Sequence, residues 1–295
     1  MPDTQGESKA RSPHLLCFGF GYVAKALALR LGPQGWSITG TSRATAAQSL
    51  DGAQILVFPT EQPDEVKAAL ASATAVLMSI PPGEGADPAF LEFSEIAGSS
   101  SPAWVGYLST TGVYGDRRGR WAFEDDPVTP ASPEATRRAA AEALWSKGRS
   151  PAHIFRLPGI YGPGRSPIDK LRAGSERRID KPGQVFSRAH VDDIAAALEA
   201  SIARPNPGRI YNVCDDEPAP THEVSAFAAH LLGIEAPPLV PFDQADLSPM
   251  GRRFYSECKR VSNARLKAEL GWRPKYPTYR EGLKSILQAE TSATS

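Results

Sequence analysis

The sequence carries no surplus charge of either sign: 33 Lys and Arg stand against 33 Asp and Glu in 295 residues. Holding nucleic acid or an anionic membrane as a main task needs net or clustered positive charge, so both partner classes are disfavoured. A local basic pocket for one phosphate is still compatible. Cysteine is scarce. Cys17, Cys214 and Cys258 are odd in number and widely spaced, so they define neither a metal-ligand pair nor a disulfide framework. That usage fits a reducing cytoplasm. No apolar run approaches the ~20 residues that cross a bilayer, and Met1–Pro13 lacks the apolar stretch of a signal peptide. The expectation is a cytoplasmic protein with no metal, no nucleic-acid partner and no membrane partner. No internal repeat is visible.

What is present is a core-forming composition, 41% apolar and 22% charged, in a length that suits one large domain or two small ones. Residues 1–12 and 290–295 read as tails. Between them, short apolar runs alternate with helical patterns. His14–Phe20, Trp36–Thr41, Gln54–Pro59, Ala75–Ile80, Ala103–Ser109 and Ala152–Leu157 read as strands. Val23–Leu31, Pro63–Ala71, Pro88–Ile96 and Pro133–Lys147 read as helices. Alternation of this kind predicts an α/β fold, a Rossmann-type doubly wound parallel sheet, with both sheet faces covered by helices. The Rossmann core is expected over 13–165. Residues 166–289 carry shorter elements (Val191–Ile202, Arg209–Cys214, Thr221–Leu232, Val261–Leu270, Tyr279–Gln288) that complete the sheet and form a smaller substrate lobe.

Between the first strand and the first helix stands Phe18-Gly19-Phe20-Gly21-Tyr22-Val23-Ala24, a G-x-G-x-x-A loop. Gly19 permits the tight turn, Gly21 lets backbone approach a pyrophosphate, and Ala24 lets the helix pack close to the strand. The helix N-terminus then offers free N–H groups to phosphate. The second strand closes Thr39-Gly40-Thr41-Ser42-Arg43, where a carboxylate for an NAD ribose would stand. A hydroxyl and an arginine suit a 2′-phosphate instead, so NADP is expected over NAD. The alternative for Arg43 is a solvated loop charge. Backbone at Ser79-Ile80-Pro81-Pro82 should line the adenosine and ribose side, unless the prolines only end the strand.

Five motifs in order make the chain resemble the extended short-chain dehydrogenase/reductases, the NAD(P)-dependent epimerase/dehydratase family, from about residue 14 to 285. Besides the glycine loop they are Tyr107-Leu108-Ser109-Thr110-Thr111-Gly112-Val113-Tyr114-Gly115, Phe155-Arg156-Leu157-Pro158-Gly159-Ile160-Tyr161-Gly162-Pro163-Gly164, Arg188-Ala189-His190-Val191-Asp192-Asp193-Ile194-Ala195, and Tyr211-Asn212-Val213. The resemblance implies Thr110 as the substrate-orienting hydroxyl and Pro158 beside the cofactor. Ser109 and Thr111 are placed around the substrate with Thr110, and Tyr114 and Tyr161 either face the substrate, where one could stand in for a missing catalytic tyrosine, or pack in the core. The family's Tyr-x-x-x-Lys pair is missing. Setting Ala141-Glu142 against the family's A-E places Glu134 at the tyrosine and Arg138 at the lysine position. The chain thus resembles the atypical members.

Glu134 and Arg138 are four apart and share a helix face. They form either a surface ion pair or a catalytic substitute. As a substitute, Glu134 is acid or base, and it needs burial to raise its pKa. Arg138 then grips the ribose or a substrate anion. For Thr110 the alternative is a hydroxyl serving a local backbone group. Arg156 and His190 read as parts of a polar network under the cleft, and Asp192 and Asp193 as a helix N-cap pair. Arg252, Arg253, Lys259 and Arg260 form a basic cluster, either a solvated face or a phosphate contact. The resemblance also implies a possible homodimer through the Pro88 and Pro133 helices. The expected function is an NADP-dependent oxidoreductase of epimerase/dehydratase type acting on a small polar carbonyl or sugar-nucleotide-like substrate. The alternative is a non-catalytic NADP(H)-binding redox sensor or regulator.

Overall fold

The structure, a computed structural model, describes residues 12–43, 48–50, 52–59, 64–84, 87, 89–91, 93, 102–147 and 150–293. The assignment of residues 1–11 to a tail lies outside them. The chain opens with β1 (His14–Phe18), α1 (Tyr22–Leu31), β2 (Ser37–Ser42), β3 (Gln48–Leu50), β4 (Ala53–Val57), α2 (Asp64–Ser72), β5 (Ala75–Met78) and β6 (Trp104–Thr110). There follow β7 (Trp121–Ala122), α3 (Pro133–Trp145), β8 (His153–Leu157), β9 (Gly159–Tyr161), α4 (Pro167–Arg172), β10 (Arg178–Asp180) and β11 (Arg188–His190). The rest is α5 (Val191–Ala203), β12 (Ile210–Asn212), α6 (Thr221–Leu232), β13 (Leu239–Pro241), α7 (Pro249–Phe254), β14 (Arg260–Val261), α8 (Ala264–Leu270) and α9 (Tyr279–Ala293).

The main sheet runs β12-β8-β6-β5-β1-β2-β4-β3. Every pairing is parallel except that of β3, which lies antiparallel on the edge against β4. This is the doubly wound α/β architecture. Period-two alternation explains its two covered faces. In β1, Leu15 and Cys17 face a layer containing α1, α5 and α8, where Leu27, Ile194 and Leu266 are fully buried. Leu16 and Phe18 face the opposite layer, with Leu70 of α2 and Trp145 of α3.

The small lobe rests on short parallel pairings, β9 with β11, β10 with β13, and β7 with β14. These pieces of two or three residues show no periodicity on which a sequence reading could rest. Of the expected Pro88–Ile96 helix, residues 89–91 and 93 are helical, and the remainder lies outside the described residues. The closing helix α9 runs on through residues 290–293, expected as tail, and Glu290 pairs there with Arg172 at 2.8 Å.

Candidate functional site

The C-terminal ends of β2, β1, β5, β6 and β8, neighbours in the sheet, form one edge. Chain direction across the sheet reverses between β1 and β5, so the crevice at their ends is a topological switch point. The glycine loop lies in it. Gly19 takes φ +88°, and a Cβ there would stand 3.0 Å from Ile80 Cγ1. Its amide donates to Thr41 Oγ1 at 2.8 Å, and the Phe20 amide donates to the Thr41 carbonyl at 2.8 Å, so β2 sets the loop's shape. Gly21 precedes α1 as its N-cap with no side-chain cap, and a Cβ there would meet nothing within 4 Å. The backbone at Gly21, just ahead of the first amides of α1, is therefore uncovered by any side chain of its own or of a cap, as a pyrophosphate approaching backbone would need. Val23 is buried against the sheet, behind the opening.

Arg43 is exposed just past the end of β2, with Ser42 half-buried before it. On the other side of the loop the Ser79 amide donates to the Phe18 carbonyl at 2.9 Å. Ile80 is half-buried and Pro81 exposed, so this segment borders the crevice. Pro158 is half-buried just past the end of β8. Tyr22 turns elsewhere: its hydroxyl donates to the Pro163 carbonyl at 3.0 Å, tying the start of α1 to the turn after β9. Desolvation pushes that hydroxyl up to about 12.

Thr110 ends β6 half-buried, and its Oγ1 accepts the Gly112 amide at 3.1 Å, capping the short 3-10 turn Thr111–Tyr114. The backbone-serving reading of this hydroxyl is therefore realised. The bond uses a lone pair and leaves the Thr110 proton available to a second acceptor. Its neighbours point inward. Ser109 Oγ donates to Glu142 Oε1 at 2.5 Å, and Arg156 donates to the same carboxylate at 2.8 Å from Nη2. The Arg156 guanidinium also donates to the Glu124 carbonyl at 3.1 Å and lies 4.7 Å from the Tyr114 ring centre. Tyr114 OH donates to Asn212 Oδ1 at 2.7 Å. Arg156 thus sits in the polar network expected of it. Tyr114 is fully buried, as the packing alternative has it, and desolvation pushes its hydroxyl up to about 12. Thr111 is buried at the start of the turn.

The substitutes for the family's Tyr/Lys pair differ in fate. Glu134 stands in the first turn of α3, exposed, and is held below the usual carboxylate range by its own amide, with help from Arg253 and Arg137. The burial that would let it donate a proton near neutrality is not supplied. Arg138 does not pair with it. Its Nη1 donates to the Leu108 carbonyl at 2.6 Å and to Tyr107 OH at 3.1 Å, so the guanidinium braces the end of β6. Tyr161 is buried beside His190, with ring centres 5.2 Å apart, in the small lobe's core.

Two expectations in the H-V-D-D segment are corrected. The N-cap of α5 is His190, whose Nδ1 accepts the Asp192 amide at 3.2 Å. Asp193 instead accepts the amides of Lys275 at 2.6 Å and Tyr276 at 3.1 Å, stapling the approach to α9. A buried carboxylate needs donors, and the backbone of a distant segment supplies them. In the basic cluster, Lys259 Nζ donates to the Gly115 carbonyl at 2.8 Å and Arg252 to the Ala245 carbonyl at 3.2 Å, so both are structural braces. Sequence reasoning used Glu142 only as an alignment anchor and missed its place beneath Ser109. The signal was a glutamate on the Pro133 helix with a buried-strand arginine, Arg156, near in sequence.

No family model matches the chain. A solved structure of a functionally unknown conserved protein from Silicibacter pomeroyi is 50% identical, with a TM-score of 0.87 over 95% of this chain and 99% of that one. A candidate NAD-dependent epimerase/dehydratase from Methylobacillus flagellatus is 27% identical, with a TM-score of 0.75 over 96% of this chain and all of that one. Protein YeeZ of Escherichia coli is 27% identical over 281 residues, 88% of this chain and 94% of that protein. Together with the strand order, the glycine loop at the switch point and the Thr110 strand, these likenesses carry one conclusion: the chain belongs to the extended short-chain dehydrogenase/reductases, the NAD(P)-dependent epimerase/dehydratase family, as an atypical member without the Tyr-x-x-x-Lys pair.

Proposed function

We propose that the protein is an NADP-dependent oxidoreductase of epimerase/dehydratase type, acting on a small polar carbonyl or sugar-nucleotide-like substrate. The observation that carries this reading is the open backbone face at Gly21, beside an exposed Arg43 on the neighbouring strand end. Gly19, Phe20, Gly21 and the first turn of α1 hold the pyrophosphate. Ser42 and Arg43 take the 2′-phosphate, and Ser79, Ile80, Pro81 and Pro158 flank the ribose and ring portions. Bound NADP would supply hydride chemistry at its nicotinamide. Thr110 orients the substrate oxygen with the proton its Gly112 bond leaves available. In related solved structures, dTDP-glucose 4,6-dehydratase from Bacillus anthracis holds NAD at 17% identity, and human SDR39U1 holds NADPH at 18%.

A second reading, a non-catalytic NADP(H) sensor, is favoured by one observation: Arg138 is spent on β6 and Glu134 is an exposed carboxylate, so neither takes over the role of the missing Tyr/Lys pair. A cytoplasmic location belongs to either reading. Pairing into homodimers through α3 and the neighbouring helical residues draws support from the exposed Leu144 and Leu91.

Fluorescence titration with NADPH and NADH in parallel tests the cofactor assignment. Selective NADPH binding is the expected outcome, and equal affinity for both would refute the role of Arg43. NADPH consumption over a carbonyl panel then separates enzyme from sensor. Turnover lost in Thr110→Val supports the enzyme. Tight binding without turnover on any substrate supports the sensor.

A further inference from the structure

Beyond Pro158, β9 leads into a turn that is closed on itself. The Gly162 amide donates to the Arg165 carbonyl at 3.2 Å, and the Arg165 amide donates to the Gly162 carbonyl at 3.0 Å. The turn is docked on Tyr22, the first residue of α1, whose hydroxyl donates to the Pro163 carbonyl at 3.0 Å. The approach is close enough to demand glycine. A Cβ on Gly162 would fall 2.4 Å from the Tyr22 hydroxyl oxygen and 2.8 Å from Val191 Cγ1. A segment distant in the chain is thereby fixed against the end of the glycine loop.

What the turn brings there is Arg165. Its guanidinium lies 5.8 Å from the Tyr22 ring centre. Tyr22 directly follows Gly21, where an added Cβ would meet nothing within 4 Å. Contact with a ring orients a guanidinium without consuming its N–H donors. Arg165 is exposed, and its side chain makes no hydrogen bond or ion pair among the described residues. Two carboxylates share the surroundings of the Tyr22 hydroxyl with it, Asp192 and Asp169. Asp169 is committed to Ser166, accepting its amide at 2.8 Å and its hydroxyl at 2.5 Å. Asp192 stands 3.8 Å from His190 Nδ1. Neither pairs with Arg165. The glycine loop itself offers a diphosphate only amides and the helix dipole, since residues 19–24 include no basic side chain.

We propose that Arg165 is the cationic member of the diphosphate site: its guanidinium takes phosphate oxygens of the bound dinucleotide while the first amides of α1 take others. Arg165 has this role only where the dinucleotide reading above holds. Unlike Arg43, it acts on a group that NADPH and NADH share. It therefore contributes to affinity and not to the choice between the two.

Fluorescence titrations of Arg165→Leu and of the unaltered protein with NADPH and NADH, with no substrate present, test this role. Affinity for both nucleotides is expected to drop by the same factor, about 10-fold or more. The melting temperature without ligand should stay within about 2 °C, because the side chain is exposed. Arg165→Lys, which keeps the charge and loses the planar fork, should recover part of the affinity. Unchanged affinity for both nucleotides overturns the proposal, and is also what a contact with a substrate's own phosphate would give. A loss confined to NADPH would move Arg165 to the 2′-phosphate and overturn it too. A loss that comes with a lower melting temperature and no recovery in Arg165→Lys would make Arg165 a structural brace instead. If the unaltered protein binds neither nucleotide, the dinucleotide reading itself falls, and the role of Arg165 with it.

Discussion

Arg43 stands exposed just past the end of β2, and among the described residues of that segment there is no carboxylate beside it. A guanidinium on a phosphate makes charge-assisted bonds that a neutral ribose hydroxyl does not replace. Arg43→Ala should therefore weaken NADPH about 10-fold or more and leave NADH nearly unchanged, measured as paired Kd values. Glu134 makes the opposite case. It is exposed and already charged at neutral pH, so Glu134→Gln should leave NADPH affinity, melting temperature and any pH–rate profile as they are. A pH profile that moved in this variant would restore Glu134 as a proton carrier. The position was legible in the sequence by its spacing from Glu142. Its exposure was not, because a residue in a first helical turn looks the same whether or not another segment covers it.

At the scale of elements, β6, β8 and α3 are fastened to one another by charge inside the core. Glu142 of α3 holds Ser109 of β6 and Arg156 of β8, both charged side chains being under a tenth exposed. Removing one partner strands the other in low dielectric, a loss of about 3–5 kcal/mol. Arg156→Met should lower the urea midpoint accordingly, and Glu142→Gln, which keeps the Ser109 contact sterically possible, should cost less. The strands and long helices were readable because each buries a periodic face: Leu15 and Cys17 to one side, Leu16 and Phe18 to the other. β3, β7, β9, β10, β11, β13 and β14 were not, since two or three residues express no period and their pairing is decided by segments far away in the chain. For the same reason Asp193 read as a cap. Its true partners, the Lys275 and Tyr276 amides, are more than eighty residues distant.

For the whole molecule, buried titratable groups set how stability answers pH. Asp215 is held up to about 8 from 3.8, so its contribution is complete below its ordinary value and is lost as pH rises through 8. Asp193, raised to about 6, acts in the same direction over a narrower window. His190 is pushed down to about 4 by burial, so its contribution is present above 6.5 and is lost as pH falls through 4. Below 6.5 these opposing slopes partly cancel, whereas between 6.5 and 8 Asp215 acts nearly alone. The melting temperature should fall across that interval, and Asp215→Asn should flatten it. An unchanged slope in the variant would remove Asp215 from this role. The β7–β14 pairing bears on another aspect of the protein's life. The loop after Thr110 is braced by the Cys258 amide on Asp116 at 2.8 Å and by Lys259 on Gly115, across more than 140 residues. On the ribosome, the sheet and its glycine loop can form while that brace is still unsynthesised. A nascent chain should therefore be able to grip a nucleotide well before the substrate side of its crevice exists.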